Sequence, residues 1–409
     1  MKTTGDLVRS LTFPFSQRTV LKHIGTMEGL ENIPRTGSFV LVPNHSSYFD
    51  HFVVEFVVNA VRGVPTWFLT KKESFERTLP RIWSEAWYGI PVDRDSPSPE
   101  TIRAIQRVFA AGDVLCVYPE GTRNGSSELL PFKAGAFRFA MRAGVPVIPM
   151  GIVGSSSVLA KGQVLFRQGS VHIAFGTPIM PSSMGSKNEQ AQALADQAHD
   201  AIKKLMNQAE KNASMTHKDA LSNKGAALVD ELITASLDEN ANLPQRTRRQ
   251  IEFLLELYLR TNPVDPDLQT QQARLRGLEA TSSRFLRKIL HANQMRHQAT
   301  KVLRQIPEHK DANYLLGRWY LGTPQLLGGN KAASQHHFLV SANSSPAGDT
   351  RALAGLAEAQ LAAGRVSAAK STYRRVLSES APEDPRTSGR IAKVRKELKK
   401  LSGFSDDHV

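Results

Sequence analysis

The chain has 409 residues, 41% hydrophobic and 22% charged, with one cysteine and a net charge of +14 at pH 7. That length suits two or three domains. The composition excludes disordered, collagen-like and mucin-like chains, and one cysteine excludes a disulfide framework or a Cys-based zinc site. The charge asks for an acidic partner: nucleic acid, anionic lipid, a phosphorylated substrate or an acidic protein. It is uneven, with +3 over residues 1–200 and +11 over residues 201–409.

Residues 1–35 carry Lys2 and Arg9, but the apolar stretch Leu11–Phe15 is too short for a signal-peptide core. They read as an amphipathic segment whose residues Leu7–Phe15 offer a hydrophobic foothold. Residues 36–215 alternate strand and helix signals. Strands are expected at Ser38–Val42, Thr66–Thr70, Gly89–Val92, Val114–Tyr118, Val145–Gly151 and Val171–Phe175. Helices are expected at Phe49–Val61, Pro99–Ala111 and Gly135–Arg142. Ser98 suits the N-cap of the second, Pro99 its first position and Gly112 its stop. The uncharged stretch Ala143–Ala160 has the length of a membrane span, but Pro146, Pro149 and several glycines break it, so it reads as a strand and a loop. The alternation predicts an α/β domain with a mixed sheet flanked by helices.

Beyond a helix over residues 188–213, no strand signal survives. Residues 216–401 read as all-α, and residues 402–409 as a frayed tail. Within 311–378 a weak repeat matches Ala333 to Ala369 and Val340 to Val376, near the tetratricopeptide period; two ordinary helical hairpins fit the same residues.

The chemistry gathers in two motifs. Asn44-His45-Ser46-Ser47-Tyr48-Phe49-Asp50 follows a predicted strand and opens a predicted helix. A turn there can fold His45 and Asp50 together, so that the carboxylate orients the ring and the second ring nitrogen takes a proton from a substrate hydroxyl. Asp50 also suits a helix cap. Tyr118-Pro119-Glu120-Gly121-Thr122-Arg123 ends another predicted strand; Gly121 admits close backbone approach and Arg123 can grip a phosphate. Phe132-Lys133-Ala134-Gly135 opens a helix, so Lys133 and that helix start suggest a second anion site; Arg94 closes Gly89–Arg94 at another strand end.

The ordered set NHxxxxD, GxxxDR, PEGTR with FKxG, and the apolar block Val145–Ile152 resembles the four blocks of the glycerolipid acyltransferases, the PlsC-like family, over roughly residues 20–215. Tyr118 stands where phenylalanine is commoner. The resemblance implies acyl transfer from acyl-CoA or acyl carrier protein to a hydroxyl of a lysophospholipid such as 1-acyl-glycerol 3-phosphate, with no metal and no cofactor beyond that co-substrate. It implies His45 as base, Asp50 as its partner, and Glu120, Gly121, Thr122 and Arg123 at the acceptor phosphate, with Arg94 and Lys133 assisting.

The expected setting is cytoplasmic, peripheral on the inner face of the cell membrane, with the basic helical half meeting an anionic surface or a protein partner. Nucleic acid is not expected, since no recognition motif accompanies the charge. The alternatives are a helical-repeat interaction protein with a minor or inactive acyltransferase domain, and acylation of a different lipid acceptor.

Overall fold

The computed structural model describes residues 3–93, 97–124, 126, 128–163, 165–214, 224–238, 242–381 and 385–402. It divides into two compact units, one comprising Met1–Ser236 and Pro244–Pro263, the other Leu237–Leu243 and Val264–Val409.

The first unit runs α1 (Thr4–His23), β1 (Ile24–Glu28), β2 (Phe39–Pro43), α2 (Phe49–Arg62), β3 (Thr66–Lys71), α3 (Thr78–Ala86), β4 (Gly89–Val92), α4 (Pro99–Ala110) and β5 (Val114–Cys116). It continues through α5 (Arg138–Ala143), β6 (Val147–Val153), α6 (Ser155–Val158), β7 (Val171–Phe175), α7 (Lys187–Ser214), α8 (Lys224–Ser236) and α9 (Gln245–Thr261). The seven strands form one sheet in the order β1-β7-β6-β2-β5-β3-β4. Every neighbouring pair is parallel except β6 with β7, so the sheet is mixed. Its centre reads as a continuous apolar run because both faces are covered: every residue of β2 and β5 is buried. As its sequence suggests, α4 is capped by Ser98, whose hydroxyl accepts from the Thr101 N–H at 3.2 Å, and it turns Ile105 and Val108 into the core.

Three features of this unit depart from the sequence expectation. Residues 24–28, expected within the N-terminal segment, form β1, which pairs with β7 nearly 150 positions away. The predicted helix over 135–142 begins as a 3₁₀ turn, Ala134–Phe137, and only then becomes the short α5. The third departure is the reach of the unit, which passes the boundary expected at residue 215 and takes in α8 and α9. The reason is packing: Phe253 of α9 meets Phe56 of α2 at 6.0 Å between ring centroids. Arg246 donates to the Gly63 carbonyl at 2.9 Å, and Lys224 of α8 pairs with Glu31 at 2.7 Å.

The described helices of the second unit are α10 (Pro266–Ser282), α11 (Phe285–Gln305), α12 (Lys310–Gly322), α13 (Lys331–Asn343), α14 (Arg351–Ala362), α15 (Val366–Glu379) and α16 (Pro385–Ser402). The repeat is present as the hairpins α12–α13 and α14–α15, but its register is one residue off the match read from sequence. Ser334, Phe338 and Ser341 are the buried residues of α13, and they correspond to Ala369, Tyr373 and Val376 of α15, which are also buried. Ala333 and Val340 are only partly covered, so the chemical match selected the wrong face. The hairpins close on small residues: a Cβ on Gly317 or Gly355 would lie 2.7 or 2.5 Å from the ring of Phe338.

Candidate active site

β2 and β5 are parallel neighbours, with Leu41 opposite Cys116. Their carboxyl ends therefore open at the same edge of the sheet, which is where doubly wound sheets hold ligands. The loop after β2 and the first turn of α2 carry residues 44–50 and the loop after β5 carries residues 118–124, so register alone brings the two motifs together. Backbone bonds then lock them: the His45 N–H donates to Glu120 Oε1 at 2.9 Å, and the Asn124 N–H donates to the His45 carbonyl at 2.7 Å.

His45 Nδ1 lies 2.9 Å from Asp50 Oδ2. The same oxygen accepts from the Ser46 and Ser47 N–H groups, each at 2.8 Å. Asp50, at 0% exposure, is thus fixed by three donors, and Nδ1 carries the proton. This assigns the tautomer that leaves Nε2 as the basic nitrogen. Among the described residues no side chain bonds Nε2, and His45 lines a cleft of about 630 Å³. The ring also stacks face to face on Tyr118, with centroids 3.8 Å apart and planes 20° from parallel.

Among the described residues the cleft draws Lys71, Arg123, Lys133, Arg138, Arg142 and Lys161 to its walls against one acid, Asp93, which Lys72 pairs at 2.5 Å. Gly121 adopts φ +69°, and a Cβ there would sit 3.1 Å from Lys133 Cε, so glycine both permits the turn and makes room for the lysine. The Arg123 guanidinium lies 3.4 Å over the Tyr48 ring, and its Nη1 is buried with no hydrogen-bond partner among the described residues. A stacked guanidinium with spare donors is arranged to receive an anion.

Of the residues expected from sequence, His45, Gly121, Thr122, Arg123 and Lys133 line this cleft, with Asp50 behind His45. Glu120 sits elsewhere. It is 5% exposed, absent from the cleft wall, and its second oxygen accepts from the Leu130 N–H and from Asn124 at 3.1 and 3.3 Å. Both oxygens are therefore engaged in bracing the loops, and a carboxylate would repel a phosphate. The helix start after Lys133 is a 3₁₀ turn leading into a helix of six residues, so the cation is what remains of that expected anion site. Arg94 lies outside the described residues.

Sequence reasoning also passed over supporting residues. Asn44 is buried and uses its whole amide on β6, donating to the Ile152 carbonyl at 2.8 Å and accepting from the Ile152 N–H at 2.7 Å. Ser47 donates to the Leu159 carbonyl. Their signal was adjacency to His45. On α2, burial holds His51 down to about 4, so it is neutral; its Nε2 meets the Trp87 carbonyl at 3.0 Å and its ring stacks on Phe68 at 3.5 Å. One turn on, Glu55 is raised to about 7 by burial although Arg9 pairs with it at 2.9 Å.

The acyltransferase family model matches residues 25–153. A 1-acyl-sn-glycerol-3-phosphate acyltransferase of Bacillus subtilis is 28% identical over 182 residues, covering 43% of this chain and 85% of that protein. The chloroplastic BAT2 enzyme of the same description from Brassica napus is 30% identical, over 44% of this chain and 50% of its own. A probable enzyme of that description from Mycoplasma pneumoniae is 32% identical, over 39% and 63%. This chain therefore spans most of the first relative and half to two-thirds of the other two. Among solved structures, the 1-acyl-sn-glycerophosphate acyltransferase PlsC of Thermotoga maritima matches with a TM-score of 0.40 at 25% identity, over 51% of this chain and 81% of that one.

Proposed function

Residues 25–153 form an acyltransferase domain of the PlsC-like glycerolipid acyltransferase family, and from that premise we propose that the chain acylates a free hydroxyl of 1-acyl-glycerol 3-phosphate, with acyl-CoA or acyl carrier protein as donor. The observation that carries this reading is the His45–Asp50 pair opening into the same cationic cleft as Arg123 and Lys133. A phosphomonoester held by the two cations sets an acceptor hydroxyl within the field of the base.

The steps follow from the residues. His45 Nε2 takes the hydroxyl proton as the oxygen attacks the thioester carbonyl. The imidazolium is met on one side by Asp50 and on its face by the Tyr118 ring, a cation–π contact of about 0.5–2 kcal/mol. Collapse of the tetrahedral intermediate breaks the C–S bond, and His45 returns its proton to the leaving thiolate. Alcohol and thioester thus become ester and thiol, with no acyl-enzyme.

The setting belongs to the same reading: peripheral attachment at the inner face of the cell membrane. No described helix is long and apolar enough to cross a bilayer. In α1, Leu7, Leu11 and Phe15 are 57%, 72% and 66% exposed along one flank, while Phe13 turns inward to Phe56. The test is acyl transfer by the purified full chain, offered lysophosphatidate, glycerol 3-phosphate or lysophosphatidylcholine with either donor. Product from lysophosphatidate alone supports the reading; product only from an uncharged-headgroup or zwitterionic acceptor contradicts it.

A further inference from the structure

We infer that the first turns of α11 form an interfacial docking site for an anionic bilayer. This rests on the membrane-peripheral setting proposed above. The buried residues of α11 are Met295, Ala299 and Val302, from its midpoint onward. Before them the helix carries Phe285, Leu286 and Leu290 at 73%, 80% and 54% exposure. At 100° per residue, Leu286 and Leu290 fall roughly opposite the line of Met295, Ala299 and Val302. The apolar arc therefore faces away from the core that anchors the helix, where an ordinary surface helix carries its polar side.

The charge says what covers it. From Arg284 to Gln305 the sequence holds six Lys and Arg residues and no Asp or Glu. Arg284, Arg287 and Lys288 are exposed in the same first turn, Arg287 on the flank of the apolar arc and Arg284 and Lys288 on the polar side behind it, and they form no ion pair among the described residues. A short apolar arc backed by unneutralised cations in the same turn matches a bilayer surface, where hydrocarbon lies just beneath a layer of negative headgroups. A basic amphipathic stretch of this kind does not suit a neutral protein groove, and like charge opposes pairing with a second copy of itself. Its place at the turn between α10 and α11 puts both side-chain classes at a hairpin tip, the part of a helical pair that can enter an interface without unpacking.

The experiment uses the full chain and sedimentation with vesicles of equal parts phosphatidylcholine and phosphatidylglycerol, against phosphatidylcholine alone. One variant carries Phe285→Ser, Leu286→Ser and Leu290→Ser; another carries Arg284→Gln, Arg287→Gln and Lys288→Gln; a third carries Leu7→Ser, Leu11→Ser and Phe15→Ser on α1. The apolar α11 variant is expected to bind anionic vesicles roughly tenfold or more weakly at every salt concentration. The charge variant should lose roughly tenfold or more at low salt, with the difference shrinking as salt rises. Acyl transfer to acceptor dispersed in detergent should be unchanged in both. Binding equal to the parent in both α11 variants, or loss in the α1 variant alone, overturns the inference. So does a change of oligomeric state, by analytical ultracentrifugation, that leaves vesicle binding intact. Vesicle binding is read without catalysis, so a chain that bound and depended on α11 but transferred no acyl group would sink the proposed reaction and leave this docking site standing.

Discussion

The sheet unit and the helical unit are held together by different kinds of contact. Around the cleft the sheet unit buries Asn44, Asp50 and Glu120; backbone groups of a distant segment engage Asn44 and Glu120, and those of its own loop engage Asp50. The two hairpins of the helical unit close on shape: the fully buried Phe338 ring packs against two glycines, and Tyr373 and Val376 of α15 share a cluster with Leu353 and Ala357 of α14. Polar brackets fix atoms to a few tenths of an ångström, which a proton transfer requires; ring-on-glycine packing fixes a surface. With the chemistry proposed for the first unit and docking proposed for the second, substitutions in each should have separable effects.

The largest expected effect is on turnover. Asp50→Asn should lower kcat by about 10²–10⁴-fold, because a neutral amide in this place no longer favours the Nδ1–H tautomer of His45 or offsets the charge of its imidazolium. Steady-state kinetics on detergent-dispersed substrate measure it. Phe338→Ala should cost the helical unit about 3–5 kcal/mol, seen as an earlier denaturation step, while kcat on dispersed substrate holds. A matching loss of kcat would break the division between the units. Arg123→Ala should raise the acceptor KM by roughly 10–100-fold, as expected for charge-assisted hydrogen bonds worth about 1.5–3 kcal/mol, with the donor KM unchanged. A rise in the donor KM alone would reassign the residue. The smallest effect is at the stacked ring. Tyr118→Leu should lower kcat by about 2–30-fold, and Tyr118→Phe should restore it, because the face rather than the hydroxyl meets the imidazolium. Equal losses in both would point to the hydroxyl instead.

How much was legible in advance depended on sequence distance. The His45–Asp50 pair spans five residues at a strand end, so local geometry sufficed to expect it, and β4 and β7 were bounded correctly by their apolar runs. The strand at Ile24–Glu28 was not, because Gly25 and Thr26 break its alternation and its partner lies in β7. The all-α reading of residues 216–401 took in α9 but carried no word of what its face would cover, and Phe253 meets Phe56. Glu120 shows the same limit at the site. Its motif neighbours Gly121 and Arg123 face the cleft, whereas the glutamate turns back to bind the His45 N–H, a direction set by the turn and invisible in the order of residues.

The central claim is that His45 is the proton acceptor for acyl transfer to a lysophosphatidate hydroxyl. The most direct measurement follows thiol release and product lipid together, in single time courses, for the purified full chain and for His45→Ala. The account predicts thiol and phosphatidate appearing one for one in the parent chain, and a loss of about 10²–10⁴-fold in both for the variant, with an unchanged thermal transition. A folded His45→Ala protein that acylates lysophosphatidate at the parental rate would contradict it.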